Sequence, residues 1–217
     1  DSWIRNANLL YDFKHYLSDN FKLGYGLQGT YYDFAPGVIT PFGTTTINYK
    51  ALPHKYALEL GLYAEAEHKL SESLTLSYGL RWSSFYHLGK RSMPQYLRDQ
   101  AVLFHPLQRI YQRGIPIGER HYKAGELIDV YAHWEPRLSL SYAFDDHRSL
   151  KASYARMAQY LHLISNTSSP TPLDVWTPSD RYLKPQYSDQ VALGYATNLK
   201  EGAYSLETEV FYKTVQN

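Results

Sequence analysis

Residues 134–160 read WEPRLSLSYAF, then DDHR, then SLKASYARMAQY. Apolar side chains recur at Trp134, Leu138, Leu140, Tyr142 and Phe144, and Glu135, Arg137, Ser139 and Ser141 stand between them. The second run repeats the rhythm, with Leu150, Ala152, Tyr154, Ala158 and Tyr160 against Lys151, Ser153 and Gln159. A period of two sends alternate side chains to opposite faces of a strand. The polar break at 145–148 suits a tight turn between antiparallel strands. The spacing therefore predicts a β-hairpin with one apolar and one polar face.

The rest of the chain repeats this unit. A strand is predicted over 3–16, with Ala7, Leu9, Tyr11 and Phe13 opposite Asn8, Asp12 and Lys14, and with Leu10 as an exception. Further strands are predicted over 21–34, 55–68, 74–87, 189–199 and 203–215. The third is the cleanest: Leu58, Leu60, Leu62, Ala64 and Ala66 alternate with Glu59, Gly61, Tyr63, Glu65 and Glu67. Short polar turns at 17–20, 70–73, 145–148 and 200–202 join the pairs. Long links over 35–53, 89–132 and 163–188 separate them. The middle link, at ~40 residues, exceeds the usual loop length and is of the kind that carries function. It holds Arg91, Arg98, Arg109, Arg113 and Arg120, with a short helix predicted over 94–104. Pro170, Pro172 and Pro178 argue against regular structure in the last link.

Composition narrows the class. A net charge of +1 without a basic stripe gives no reason to expect a nucleic-acid partner. The absence of cysteine rules out a disulfide framework and thiolate metal sites. Tyrosine stands out, with 22 residues beside 4 Trp and 8 Phe. No apolar run is long enough for a membrane-spanning helix. A mean hydropathy of -0.47 still allows a transmembrane barrel, whose strands alternate lipid-facing and lumen-facing residues.

Strand length decides between a soluble sheet and a barrel. The predicted strands exceed the usual five to six residues of soluble sheets, and a tilted strand needs roughly 9–11 to cross the hydrocarbon. Links alternate short and long, as in outer-membrane barrels with short periplasmic turns and long extracellular loops. Tyr16, Tyr31, Tyr56, Tyr86, Trp134, Tyr160, Tyr204 and Tyr212 suit aromatic girdles. The predicted fold is all-β: about eight strands of a transmembrane antiparallel up-and-down β-barrel in the bacterial outer membrane. Its polar face puts Lys22, Glu59, Glu65, Arg81, Arg137, Lys151, Glu207 and Glu209 toward the lumen.

The segment LKPQYSDQVALGY, from Leu183 to Tyr195, resembles a recurring stretch of TonB-dependent outer-membrane receptors, with Gln186 where that pattern has Glu. EPRLSLSY from Glu135 and KASYARMAQY from Lys151 are also similar to barrel strands of that family. The loop SNTSSPTPLDVWTPSD is similar to those of the Bacteroidetes branch, which often carries an N-terminal carboxypeptidase-regulatory-like domain. The resemblance implies a barrel of about 22 strands around a plug domain. It also implies a TonB-contacting segment and active uptake of a scarce nutrient bound by outer loops. Residues 1–217 would then be an internal barrel piece, since Tyr212–Asn217 lacks the aromatic end of a final strand. The implied partners are outer-membrane lipid, the protein's own plug, TonB and a surface lipoprotein. The implied lumen charges would hydrogen-bond the plug or line the path.

Aromatic and Arg residues are enriched at binding hot spots, so Trp176, Arg181 and Tyr182 are the candidate ligand contacts. The alternative is a complete eight-stranded barrel acting as an anchor or adhesion protein, although Gly24, Gly26, Gly79 and Gly194 would leave voids in so narrow a lumen. An enzyme is not expected. Ser165, Ser168 and Ser169 lie near His162 and Asp174, but no GxSxG element appears. His105, His121 and His133 match no metal-ligand spacing, so no metal or cofactor is expected.

Overall fold

The computed structural model describes residues 3–39, 50–164, 175–199 and 203–217. In chain order the strands are β1 (Trp3–Ser18), β2 (Phe21–Ala35), β3 (Val38–Ile39), β4 (Lys50–Ala51), β5 (Lys55–Lys69), β6 (Leu74–Leu88), β7 (Arg91–Tyr96) and β8 (Val102–His105). There follow β9 (Ile110–Arg113), β10 (Pro116–Tyr122), β11 (Leu127–Asp145), β12 (Arg148–Gln159), β13 (Leu161–Ile164), β14 (Val175–Pro178), β15 (Gln186–Leu199) and β16 (Tyr204–Gln216). Eight of them form one antiparallel sheet in the order β1-β2-β5-β6-β11-β12-β15-β16. No ladder joins β16 back to β1 among the described residues, so these strands make an open wall and not the closed eight-stranded barrel of the alternative reading.

Alternation sorts the two faces as predicted. Leu27, Leu62, Trp82 and Trp134 follow one another across four strands on the apolar face. Leu62 is 54% exposed and Trp134 60% exposed. So large a bare apolar surface is stable in lipid and costly in water. The opposite face carries the charges. The turn at 70–73 closes when Ser71 Oγ accepts the Leu74 N–H (3.1 Å). In the turn at 145–148, the Arg148 Nε–H donates to Asp145 (2.7 Å). The predicted turn at 200–202 lies outside the described residues.

The links differ most from expectation. The helix predicted over 94–104 is absent: β7 pairs with β10, and the hairpin of β8 with β9 is nested between them. Only a 3-10 turn at Leu97–Asp99 is helical, and Arg98 (φ 57) and Asp99 (φ 56) lie in the left-handed region there. Pro94 is in β7, a strand of a two-stranded ribbon, where one edge needs no donor. β11 starts at Leu127 and not near Trp134, because Val130 and Ala132 continue the ladder to Tyr86 and Ser84. Pro178 lies within β14, paired at the hairpin's end with Leu161. Pro170 and Pro172 lie outside the described residues.

Tyr160 also departs from its predicted face. The β12 ladder ends at Gln159, which releases the period of two. The Tyr160 ring turns to the polar face and stacks on Phe85 (5.0 Å between centroids, 4° between planes). With Phe34 and Ala57 these residues form the buried cluster of the wall. Thus this aromatic core sits on the polar side, at the long-loop end.

Candidate functional site

The polar face is built around long side chains lying over glycines. Arg81 reaches across Gly61, whose added Cβ would stand 2.8 Å from Nη2. Its Nη1 donates to Gln28 Oε1 (3.1 Å), and the guanidinium lies 3.8 Å from both Glu59 and Glu135. Tyr32 donates its hydroxyl to Glu59 (3.3 Å). Glu65 and Arg137 flank Gly79 on its two sides, and Lys151 and Glu209 flank Gly194 in the same way. Glu207 lines the hollow beside Lys151 and Glu209. Lys22 pairs with Glu67 (2.8 Å). All eight predicted lumen charges therefore lie on one face. The small residues predicted to leave voids are partly covered by neighbouring Glu, Tyr and Arg side chains.

Above this wall, the link after β12 folds back over the polar face. Hairpin β13–β14 reaches β5, where Lys55 Nζ donates to Thr177 Oγ1 (2.8 Å). The Ser179 N–H donates to the Tyr160 carbonyl (2.8 Å). Asp180 Oδ1 accepts from the N–H groups of Tyr182 (2.9 Å) and Leu183 (3.0 Å), and its carbonyl accepts from the Tyr131 hydroxyl (2.9 Å). Arg181 donates to Asp99 (3.2 Å) through its side chain and to Asp129 (2.9 Å) through its backbone. Tyr182 donates to the Pro94 carbonyl (3.1 Å) and meets the Tyr96 ring edge-on. Arg181 and Tyr182 thus pin this link to the one before it. Trp176 stands across from Leu163 on the hairpin and is 42% exposed.

His162 links the hairpin to this roof. It is buried and bonds to Ser179 Oγ (2.9 Å) through Nε2. Burial pushes its imidazole below the ordinary value, and Asp180 pulls the other way. The loosened hairpin therefore takes up a proton more readily than the packed one. Packing is favoured above about pH 6.5 and loses support as pH falls through that value. Amide protection in β13 and β14, taken relative to the intrinsic exchange rate at each pH, should fall from about pH 7 to about pH 5, and His162→Gln should flatten the fall. An equal loss of protection in the variant would assign the effect to another group.

Ser165, Ser168, Ser169 and Asp174 lie outside the described residues, so the serine grouping has no geometry here. His105, His121 and His133 occupy separate places: β8, a bond to Ser92 (2.5 Å), and contacts with Tyr160 and Tyr187. Glu135, Lys55 and His87 carry no site signal in the sequence, and Arg91 is marked there only as one of the arginines of the long middle link. The first three occupy ordinary polar positions of the alternation, and burial, visible only in the fold, sets them apart.

An antiparallel wall with an apolar outer face, a charged inner face and long loops gathered at one end defines an outer-membrane β-barrel. Over residues 2–217 the sequence matches the family model described as TonB dependent receptor-like, beta-barrel, and the chain belongs to that family. No curated protein matches it. Among solved structures it is similar to the FrpB iron transporter from Neisseria meningitidis: 14% identity, TM-score 0.58, covering 98% of this chain and 28% of that one. The ferric-catecholate import receptor Fiu from E. coli is similar at 13% identity and TM-score 0.57, covering 100% and 32%. The Serratia marcescens hemophore receptor HasR, solved with its hemophore HasA and heme, is similar at 16% identity and TM-score 0.55, covering 98% and 32%. The chain spans 28% to 32% of the length of these receptors.

Proposed function

We propose that this chain is part of the barrel wall of a TonB-dependent receptor that imports a scarce nutrient across the outer membrane. The observation that carries the reading is the wall itself: a lipid-facing sheet whose two edges are unpaired among the described residues, with a charged inner face roofed by its own loop. Open edges are not stable in hydrocarbon, so further strands complete the barrel. Short turns face the periplasm and the long links face outside. Inside, Lys22, Glu59, Glu65, Arg81, Arg137, Lys151, Glu207 and Glu209 face the receptor's plug domain, which TonB moves at the expense of the proton-motive force. The likeness of its SNTSSPTPLDVWTPSD loop to the Bacteroidetes branch supports a receptor of that type with an N-terminal carboxypeptidase-regulatory-like domain; a surface lipoprotein partner is part of the proposal by that kinship and not by the loop. The protein is a transporter and not an enzyme.

Trp176, Arg181 and Tyr182 mark the ligand-facing roof. Arg181 and Tyr182 set its shape, and Trp176 presents the exposed aromatic surface. The test is TonB-dependent uptake by cells offered ferric iron, a ferric catecholate or heme-loaded hemophore, the cargoes named for the similar structures. Trp176→Ala should lower uptake of the accepted cargo about tenfold at limiting concentration, while the amount of folded receptor in the membrane stays constant. Undiminished uptake would remove Trp176 from the site, and uptake independent of TonB would remove the transport reading.

A further inference from the structure

At the long-loop end, three nitrogen-bearing side chains lie near one another: Lys55, bonded to hairpin β13–β14, the buried His87, and the half-buried Arg91. Lys55 is opposite Phe34 in the ladder, and His87 is opposite Ala57, so the two hang from adjacent strands one pair apart on the inner face. Arg91 opens β7 just beyond and acts electrostatically on both. His87 is 0% exposed and Lys55 is 8% exposed. Among the described residues, neither ring nitrogen of His87 has a hydrogen-bond partner, nor do Nε and Nη1 of Arg91. Lys55 directs one of its three N–H groups to Thr177 and leaves two.

The charge balance is lopsided. Among the described residues, Asp180 is the carboxylate whose field reaches both Lys55 and Arg91. Its Oδ1 already accepts two backbone N–H groups. Two cations therefore share one partly engaged anion, and several N–H donors lie away from solvent without an acceptor. Buried donors, charged ones above all, are costly when left unpaired. A hydrophobic partner would not relieve this, and a single water would satisfy donors without offsetting charge.

We propose that this cluster is a binding site for one small oxyanion of phosphate or sulfate type, held by Lys55, Arg91 and His87 under the Thr177 hydroxyl. Arg91 supplies a planar fork and Lys55 a point charge, a pairing suited to tetrahedral oxyanions. The His87 imidazole adds one N–H. Lys55 and His87 are closed off by residues of this same chain, so the occupant is a free ion caught as the loop folds, not a side chain reaching in from elsewhere. Its effect is to fasten the hairpin that carries Trp176 to the wall. The site stands apart from the nutrient question, because it can be measured without transport.

The test uses the full-length receptor, purified in detergent without phosphate or sulfate and titrated calorimetrically with inorganic phosphate. Saturable binding of one phosphate is expected, weakened about tenfold or more by Arg91→Met and by Lys55→Met. Arg91→Lys, which keeps the charge and loses the fork, should fall between. Crystals grown with arsenate should show an anomalous peak within hydrogen-bonding distance of Lys55 and Arg91, and this readout needs no variant to fold. No saturable binding, binding that both variants leave intact, or arsenate only on surface lysines would overturn the proposal. In that case Lys55→Met should raise thermal stability regardless of phosphate, the behaviour of an unpaired buried cation served by water alone.

Discussion

Leu62→Arg is expected to destabilise the full-length receptor by about 2–4 kcal/mol, the penalty for a cation near the bilayer midplane on the lipid face of a barrel. Leu62 lies midway along β5, beside Leu27 on one strand and Trp82 on the other. Its surroundings are apolar in every direction along that face. In water the same change would be mild, since Leu62 is already more than half exposed and an arginine there displaces nothing. The size of the loss therefore reports the solvent. The matched control is Ser139→Arg, which lies between Ser77 and Ser153 on the inner face. That change should cost no more than about 0.5 kcal/mol. Equilibrium urea unfolding in phospholipid vesicles measures both. Equal losses at the two positions would mean that the leucine-rich face does not meet lipid.

The second large effect is on the inner face. Arg81→Met should remove about 2 kcal/mol, because it strands two carboxylates that one guanidinium now serves. Glu135 is almost fully buried and Glu59 is mostly so. The 3.8 Å separations and the partial exposure of Arg81 keep the expected value below that for a tight, fully buried pair. The loss should be selective for charge. Adding Glu59→Gln and Glu135→Gln to Arg81→Met should recover most of it, since the carboxylates then need no cation. A triple variant no better than Arg81→Met would show that the arginine acts by packing over Gly61 and not by its charge.

The wall was legible because its information is local. Period-two alternation in residues 55–68 and 74–87 predicts both the strands and their faces, and β5 and β6 match to within one residue at the ends. The links were not legible for a reason of the same kind. In β7 to β10 both faces of a projecting ribbon meet water along much of its length, so no burial imposes an apolar rhythm. Pro94 and the scattered arginines then look like loop composition, although the backbone pairs as hairpins.

The candidate site divides the same way. Placing Glu65, Arg81, Arg137 and Lys151 on one face needed only the pleat. Knowing that Arg81 serves Glu59, Glu135 and Gln28 together needed the register of four strands. Arg181 and Tyr182 were picked by residue type. Their contacts with Asp99 and Pro94, 82 and 88 residues away in sequence, turn out to hold the roof together.

By itself, then, the sequence determined the strand class, the sidedness of the eight wall strands and the alternation of short and long connections, because each is a property of a few consecutive residues in an extended chain. Tertiary structure alone decided that the eight strands form an open wall, that Tyr160 crosses to bond Ser83 across 77 residues of sequence, and that Lys55 and His87 are buried. Burial of a polar side chain depends on what folds over it, and hairpin β13–β14 comes from a part of the chain more than a hundred residues away from Lys55.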